Sequence, residues 1–148
     1  MEKFERILVP LDGSECAEDI LPMVEKLATD FKASIALLRV ALAHTFPGVD
    51  PTDAEVKVVR EAEQYLTKVE ERLRAKGFKA DSHVRYGNDA EEILEHAGLK
   101  DIDLVAMSTH GRTGVGRFVL GSVAEKIIRH SPKPIFLEKL PSDSPPYY

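Results

Sequence analysis

The sequence predicts a single α/β domain, in which helices cover both faces of an open five-stranded parallel sheet. Short segments that are apolar on both faces alternate along the chain with amphipathic segments of helical period. The length of 148 residues, of which 43% are hydrophobic, fits one domain with one core. We expect residues 1–140 to form this domain, and the Pro- and Ser-rich residues 141–148 to be a disordered tail.

The first half of the chain predicts two strands and two helices. The run "RILVPL" (6–11) is a strand that ends in "DGS", a helix-start signal, and apolar residues at spacings of three and four predict a helix over 14–31. "ASIALLRVAL" (33–42) is a buried strand, and the Pro- and Gly-containing residues 43–54 are predicted as a loop. The apolar stripe of 55–76 is typical of a long helix that ends at Gly77.

The second half continues the same alternation. "FKADSHVRYG" (78–87) alternates like a strand near a sheet edge, and "DAEEILEHAGL" (89–99) predicts a helix capped by Asn88 or Asp89. "DIDLVAM" (101–107) is a strand, and a glycine-rich loop leads from it into a helix over 122–130. "KPIFLEKL" (133–140) is the last strand.

Composition excludes several classes of function. A net charge of −5 gives no basic footprint for nucleic acid. A single cysteine, Cys16, rules out an internal disulfide, and we interpret it as a small apolar filler. The chain shows neither a basic leader nor an apolar run of membrane-spanning length, so we expect a soluble cytoplasmic protein. The histidines lack metal-ligand spacing, and we expect no metal site.

The predicted sheet places two turn-like segments at one edge. Ligands of open α/β sheets bind beyond the carboxyl ends of the strands, where the winding direction reverses. The strand order is either 2-1-3-4-5 or 3-2-1-4-5, and in both the reversal lies beside the first strand. In the second order, "PLDGS" after the first strand and "MSTHG" after the fourth face one crevice.

The stretch "STHGRTGVGRFVLGS" (108–122) has the composition of a phosphate-binding loop. It is not a Walker A loop, because Arg117 and Phe118 stand where lysine and a hydroxyl residue belong, and the first strand lacks the glycines of a dinucleotide fingerprint. Gly111 permits close approach of a ligand to the backbone. Gly121 precedes a helix whose N-terminus favours an anion. Arg112 and Arg117 offer charge-assisted contacts.

This stretch, together with "ILVPLDGSECAEDIL", "RYGNDAEEIL" and "LVAMSTHGRTGVGRFVLGSVAEKIIRHSPKPIFL", resembles the universal stress protein family. Nucleotide-binding members of that family carry G-x-x-G-x₉-G-[ST], and the similarity extends over roughly residues 4–140. The chain departs from the pattern at its first glycine, which is Ser108 here. The resemblance implies the order 3-2-1-4-5 in a Rossmann-like sheet of the adenine-nucleotide alpha-hydrolase type.

The resemblance also implies a dimeric stress-response or regulatory protein that binds ATP, ADP or AMP, with or without Mg²⁺. Pro10, Asp12 and Val40 would border the adenine. Met107 and Ser108 would lie near the ribose and α-phosphate. The remaining residues of the implied nucleotide site, most of them around the phosphates, are Leu11, His110, Gly111, Arg112, Gly121, Ser122 and Val123. The apolar edge of the last strand, Pro134–Leu140, predicts the homodimer contact.

Several alternatives to this interpretation stay open. Asp12 with Ser14 is also a helix cap, Ser122 with Glu125 matches a capping box, and His110 without a carboxylate beside it is typical of a packed residue. No residue is placed to activate water, so we expect no catalytic residue and at most slow ATP hydrolysis.

The first functional alternative is a dimeric interaction module without nucleotide, which Ser108 favours. A phosphoacceptor receiver domain needs an acidic pair after the first strand, whereas only Asp12 is present. An adenylating enzyme needs a substrate pocket, for which this short chain leaves little room.

Overall fold

The computed structural model describes residues 4–43, 47–48, 50–109 and 121–139, without the side chains of residues 15 and 16. Three predicted site residues, His110, Gly111 and Arg112, and the predicted tail at 141–148 therefore lie outside the described residues. The strands are β1 (Arg6–Pro10), β2 (Ser34–Ala41), β3 (Ala80–Tyr86), β4 (Leu104–Ser108) and β5 (Ile135–Glu138). The helices are α1 (Glu15–Glu18), α2 (Leu21–Phe31), α3 (Pro51–Ala75), α4 (Asp89–Ala97) and α5 (Ser122–His130).

The five strands form one parallel sheet in the order β3-β2-β1-β4-β5. Val9 pairs with Leu37 on one side of β1, and Leu8 pairs with Val105 on the other. The predicted α/β class is confirmed, and of the two open strand orders the chain adopts 3-2-1-4-5. β3 lies at one edge of the sheet, as the alternation in its sequence predicts.

Helices cover the sheet on both faces, and each face has its own apolar cluster. One cluster joins Ile7 and Val9 of β1 to residues of α2 and α3, and the other joins Leu8 to residues of α4 and α5. Ile7, Leu8 and Val9 are completely buried. Burial of a side chain of this size stabilises the fold by about 1.5–3 kcal/mol. The continuous apolar run of β1 is thus explained by its central place between two helical layers.

The predicted helix over 14–31 is wrong in one respect, because the structure divides it into α1 and α2. The break falls at Asp19 and Ile20, and Pro22 lies in the first turn of α2. A proline has no N–H to donate, and its ring clashes with the carbonyl four residues earlier, here that of Glu18. Proline is tolerated in a first helical turn, so the chain ends α1 at Glu18 and starts again at Leu21.

The predicted loop over 43–54 is also wrong at its end, because α3 begins at Pro51 rather than at Glu55. Asp50 is the N-cap, and its Oδ1 accepts a hydrogen bond of 2.9 Å from the backbone N–H of Thr52. The sequence Asp50-Pro51 is itself a start signal, since an acidic cap followed by proline suits the first turn of a helix. None of the helices in the described segments combines the length and apolar character that a membrane crossing requires.

Candidate functional site

A cavity of about 320 Å³ opens at the carboxyl ends of β1 and β4. β2 lies on one side of β1 and β4 on the other, so the winding of the chain reverses here. The volume is at the lower end of the range for small-molecule sites. The lining residues are Pro10, Leu11, Asp12, Ala17, Leu38, Val40, Asp89, Ile93, Met107, Ser108, Thr109, Gly121, Ser122, Val123 and Ala124.

Most of the residues that the sequence predicts for a nucleotide site lie together in this lining. Nine of the twelve are present: Pro10, Leu11, Asp12, Val40, Met107, Ser108, Gly121, Ser122 and Val123. The other three are those already noted as outside the described residues. Segments that are far apart in the chain therefore converge on one cavity, while the role of each residue toward a ligand stays a prediction.

The turn after β1 is held by its own side chains. Asp12 Oδ1 accepts from the backbone N–H of Ser14 at 2.9 Å and from Ser14 Oγ at 2.5 Å. Ser14 Oγ in turn accepts from the N–H of Ala17 at 3.1 Å and caps α1. Gly13 has φ +88°, a backbone conformation that glycine adopts without strain. The predicted capping role of Asp12 and Ser14 is confirmed, and Asp12 lines the cavity at the same time.

Thr109 and Gly121 contact each other at the carboxyl end of β4. Thr109 donates its N–H to the carbonyl of Glu138 on β5 at 3.0 Å, and its carbonyl accepts from the N–H of Gly121 at 3.1 Å. Ser108 and Thr109 are buried at this junction. Since the N–H of Gly121 is committed to Thr109, an anion at this end would meet the N–H groups of Ser122 and Val123 instead.

The N-terminus of α5 differs from the predicted capping box. Gly121 is the N-cap, no side chain of the described residues caps this end, and Ser122 is already the first helical residue. A capping box needs its serine at the N-cap position, so the shift of one residue breaks the motif. Glu125 instead pairs with Arg129 at 2.9 Å, one turn further along the helix. The capping-box prediction for Ser122 and Glu125 is therefore wrong.

Part of the cavity wall is apolar. Leu38 and Val40 of β2 and Met107 of β4 are buried in the same cluster as Ile93 of α4. They lie on this wall because alternate residues of a strand point to the same face. The cavity thus has a wall that favours a flat apolar group and, at the start of α5, an end that favours an anion.

Sequence reasoning missed six residues of the lining, namely Ala17, Leu38, Asp89, Ile93, Thr109 and Ala124. Two of them carry a signal that period and position could have found. Leu38 precedes Val40 by two residues in the same strand and therefore shares its face. Asp89 follows β3 at the carboxyl edge of the sheet, where polar residues of an open sheet face ligands.

The charged residues of the described lining are both acidic. Asp12 and Asp89 contribute carboxylates, and no lysine or arginine is among these lining residues. Within the part of the chain that the structure describes, no group of three His, Cys, Asp or Glu side chains could hold a metal ion. The described lining therefore supplies no cationic side chain to a polyphosphate.

Comparison with known proteins gives consistent results. A model of the universal stress protein family matches residues 3–137. The universal stress protein MJ0531 of Methanocaldococcus jannaschii is 30% identical over 93% of this chain and 84% of its own length.

Solved structures of related proteins have the same fold. The structure of MJ0577 from the same organism superimposes with a TM-score of 0.85 and 29% identity, over 96% of this chain and all of that one. A universal stress protein from Arabidopsis thaliana, solved with AMP bound, has the same fold, with a TM-score of 0.70 and 15% identity over 96% and 95% of the two chains. The chain therefore belongs to the universal stress protein family.

Proposed function

We propose that the chain binds an adenine nucleotide in the cavity at the carboxyl ends of β1 and β4, and that it acts as a regulatory or stress-response protein in the cytoplasm. The observation that carries this proposal is the convergence of nine predicted nucleotide residues on one cavity that has a helix N-terminus at one end. The AMP bound to the Arabidopsis relative supports the chemical class of the ligand.

The two kinds of wall suggest how the nucleotide lies. The base packs against the apolar wall of Leu38, Val40 and Ile93, where its flat surface loses contact with water. The phosphates lie at the start of α5, where Ser122 and Val123 present backbone N–H groups and the helix dipole is positive. Asp12 borders the adenine, and Met107 and Ser108 lie near the ribose.

Mg²⁺ fits this cavity only as a companion of the phosphates. Magnesium is commonly held by one or two carboxylates together with phosphate oxygens and water. Asp89 offers such a carboxylate, and the described residues provide no complete protein site. When bound, the ion would neutralise phosphate charge that the two carboxylates otherwise repel. We therefore expect ATP binding to depend on magnesium more strongly than AMP binding does.

No described residue of the lining is a histidine or lysine that could act as a general base at neutral pH, and the proposal includes at most slow ATP hydrolysis. The second candidate function is a dimeric interaction module without nucleotide. Ser108 favours it, because the serine replaces the first glycine of the family's nucleotide-binding pattern and its side chain crowds the cavity. Binding measurements decide between the two functions.

The test compares two substitutions at Gly121. Its φ of −59° suits any residue, and an added Cβ would lie 3.4 Å from the carbonyl of Thr109, an ordinary contact. Asp and Asn are both good N-caps, so Gly121→Asp and Gly121→Asn should fold at least as stably as the unchanged protein. Only the aspartate places a negative charge at the proposed phosphate end.

We expect calorimetry to show saturable binding of ATP, ADP or AMP to the unchanged protein and to Gly121→Asn, and at least about 100-fold weaker ATP binding to Gly121→Asp, which corresponds to ~2.7 kcal/mol. Nucleotide that co-purifies with the unchanged protein would support the same conclusion. Absence of binding at millimolar ATP with magnesium would reject the nucleotide proposal and favour the interaction module.

We also propose that the chain forms a homodimer through the edge of β5. The carbonyls of Pro134 and Glu138 point toward β4, so the pleat turns the N–H groups of Ile135 and Leu137 outward. These outward groups can pair with a second copy. Leu137→Pro removes an outward N–H and should give a monomer in light scattering. Leu137→Ala also loses the leucine side chain but keeps the backbone N–H, and it should stay dimeric.

A further inference from the structure

Arg39 lies beneath the turn that follows β1, on the face of the sheet away from the cavity. Its neighbours Leu38 and Val40 line the cavity, so the alternation of β2 turns Arg39 to the opposite face. A Cβ built on Gly13 would lie 3.1 Å from Arg39 Nη1 and 3.3 Å from its Cζ. The guanidinium therefore rests directly against the backbone of Gly13.

The guanidinium also contacts Tyr65 of α3. The Arg39 Cζ lies 5.1 Å from the centre of the Tyr65 ring, within the range of a cation–π contact. The planar group of Arg39 thus contacts both an aromatic ring and the turn. An aliphatic side chain of similar length would keep the volume of the stem but lose both of these contacts.

Tyr65 is itself fixed in position. Its hydroxyl donates to Glu18 Oε2 at 2.8 Å, and Glu18 Oε1 accepts from Arg72 at 2.6 Å. Burial raises the pKa of Tyr65, and the Glu18 carboxylate raises it further, so the hydroxyl stays a donor at ordinary pH. Glu18 belongs to α1, which begins directly after the turn, so the contacts connect α3 to the turn through Arg39 and to the helix that follows it.

The Nε atom of Arg39 is a polar atom without a hydrogen bond to the described residues. Arg39 Nε is buried and has no hydrogen-bond partner among the described residues. Buried polar atoms are nearly always bonded, and an exception calls for a reason. The contacts of the guanidinium with Tyr65 and Gly13 supply such a reason.

We propose that Arg39 is a positioning residue. Its guanidinium packs against the turn Asp12–Ser14 and so holds Asp12 in place at the edge of the cavity. The effect on the turn stands on these contacts alone. The effect on ligand affinity rests on the proposed function.

The first test needs no ligand. The N–H of Ser14 donates to Asp12 Oδ1, so its hydrogen exchange reports how often the turn opens. We expect Arg39→Met to speed exchange at Ser14 by roughly tenfold, with little change at the central β1 amides. The matched control is Arg74→Met. The side chain of Arg74 also contacts another segment, because its Nε donates a hydrogen bond of 2.9 Å to the carbonyl of Ala80, but Arg74 lies away from the turn. This control should leave Ser14 unchanged.

The second test separates bracing of the turn from loss of phosphate contacts. Arg39→Met should weaken the binding of adenosine and of ATP by the same factor, roughly fivefold to tenfold. The reason is that Asp12 contacts the nucleoside part, which both ligands share. Gly121→Asp should weaken ATP alone. Tyr65→Phe keeps the ring but loses the hydrogen bond to Glu18. It should also weaken the binding of adenosine and of ATP equally, by a smaller factor.

Unchanged exchange at Ser14, or exchange accelerated equally across the whole sheet, would overturn the proposal. So would a loss of ATP affinity in Arg39→Met without a loss for adenosine. If the unchanged protein binds no adenine nucleotide, the proposed function fails separately, and exchange at Ser14 alone then decides whether Arg39 braces the turn.

Discussion

At the amino ends of the strands, carboxylates are paired with arginine and with backbone N–H groups of other segments, whereas at the carboxyl ends two carboxylates line a cavity and Asp12 accepts hydrogen bonds within its own turn. Arg6 contacts Asp81 at 2.8 Å and Asp101 at 3.2 Å, and Asp103 Oδ2 accepts from the N–H groups of Glu5 and Arg6. At the other end, Asp12 and Asp89 lie in a lining that has no described lysine or arginine.

This difference separates the tasks of the two ends. Charges that satisfy each other at the amino ends contribute to stability, because removing one partner leaves the other without a bond. Polar groups around the cavity face a space that a ligand can enter, so changes to them should act mainly on binding. β4 spans about 17 Å between the two ends, which is far enough for substitutions at the ends to act independently.

The largest effect on stability should come from the amino end. Asp103→Ala leaves the N–H groups of Glu5 and Arg6 without their acceptor, and we expect the free energy of unfolding to fall by about 1–3 kcal/mol. Denaturant unfolding measures this change, and nucleotide affinity should not change. Asp103→Asn keeps one acceptor oxygen and should lose less. An equal loss of affinity and stability in Asp103→Ala would show that the two ends are coupled.

A moderate effect, on binding alone, is expected at the carboxyl end. Asp89→Asn removes one of the two carboxylates from the lining and so reduces their repulsion of phosphate. We expect ATP to bind about threefold more tightly at low salt, AMP to gain less, and adenosine to stay unchanged. Titration calorimetry with the three ligands measures this series. Weaker binding of all three would instead mean that Asp89 contacts the nucleoside.

The smallest effect concerns His96, which lies between the two ends on α4. Burial lowers the pKa of His96, and electrostatic interactions with His83 and Arg85 lower it further, against an opposing contribution from Asp101. The folded protein therefore binds this proton less tightly than the unfolded chain does. The stability that neutral His96 contributes is fully present above the pKa of the unfolded chain, near 6.5. It is lost as the pH falls below that pKa and then through the lower pKa of the folded protein.

The measurement for His96 is the dependence of the melting temperature on pH between about 7.5 and 5.5, in the range where histidine titrates. His96→Gln should flatten this dependence, whatever its effect on stability at the upper pH. His130→Gln, at an exposed position of α5, is the control and should follow the unchanged protein. An identical slope for all three proteins would show that His96 contributes nothing to acid sensitivity.

Local pattern was a good guide to the elements and a poorer guide to their ends. The strands and the amphipathic stripes were correctly predicted because period and apolar runs are properties of neighbouring residues. The break before Pro22 and the start of α3 at Pro51 were missed although both carry local signals. The shift of the α5 cap from Ser122 to Gly121 was missed for a different reason, because a distant hydrogen bond to Thr109 accompanies it.

By itself the sequence determined the α/β class, the parallel sheet and the turn residues that end β1 and β4, since these follow from hydrophobic period and from local backbone preference. Only the tertiary structure decided the choice between two strand orders, the approach of Asp89 to the cavity and the contacts of Arg39 with Gly13 and Tyr65. These features join residues far apart in the chain, and their contacts form only when helices and strands pack together.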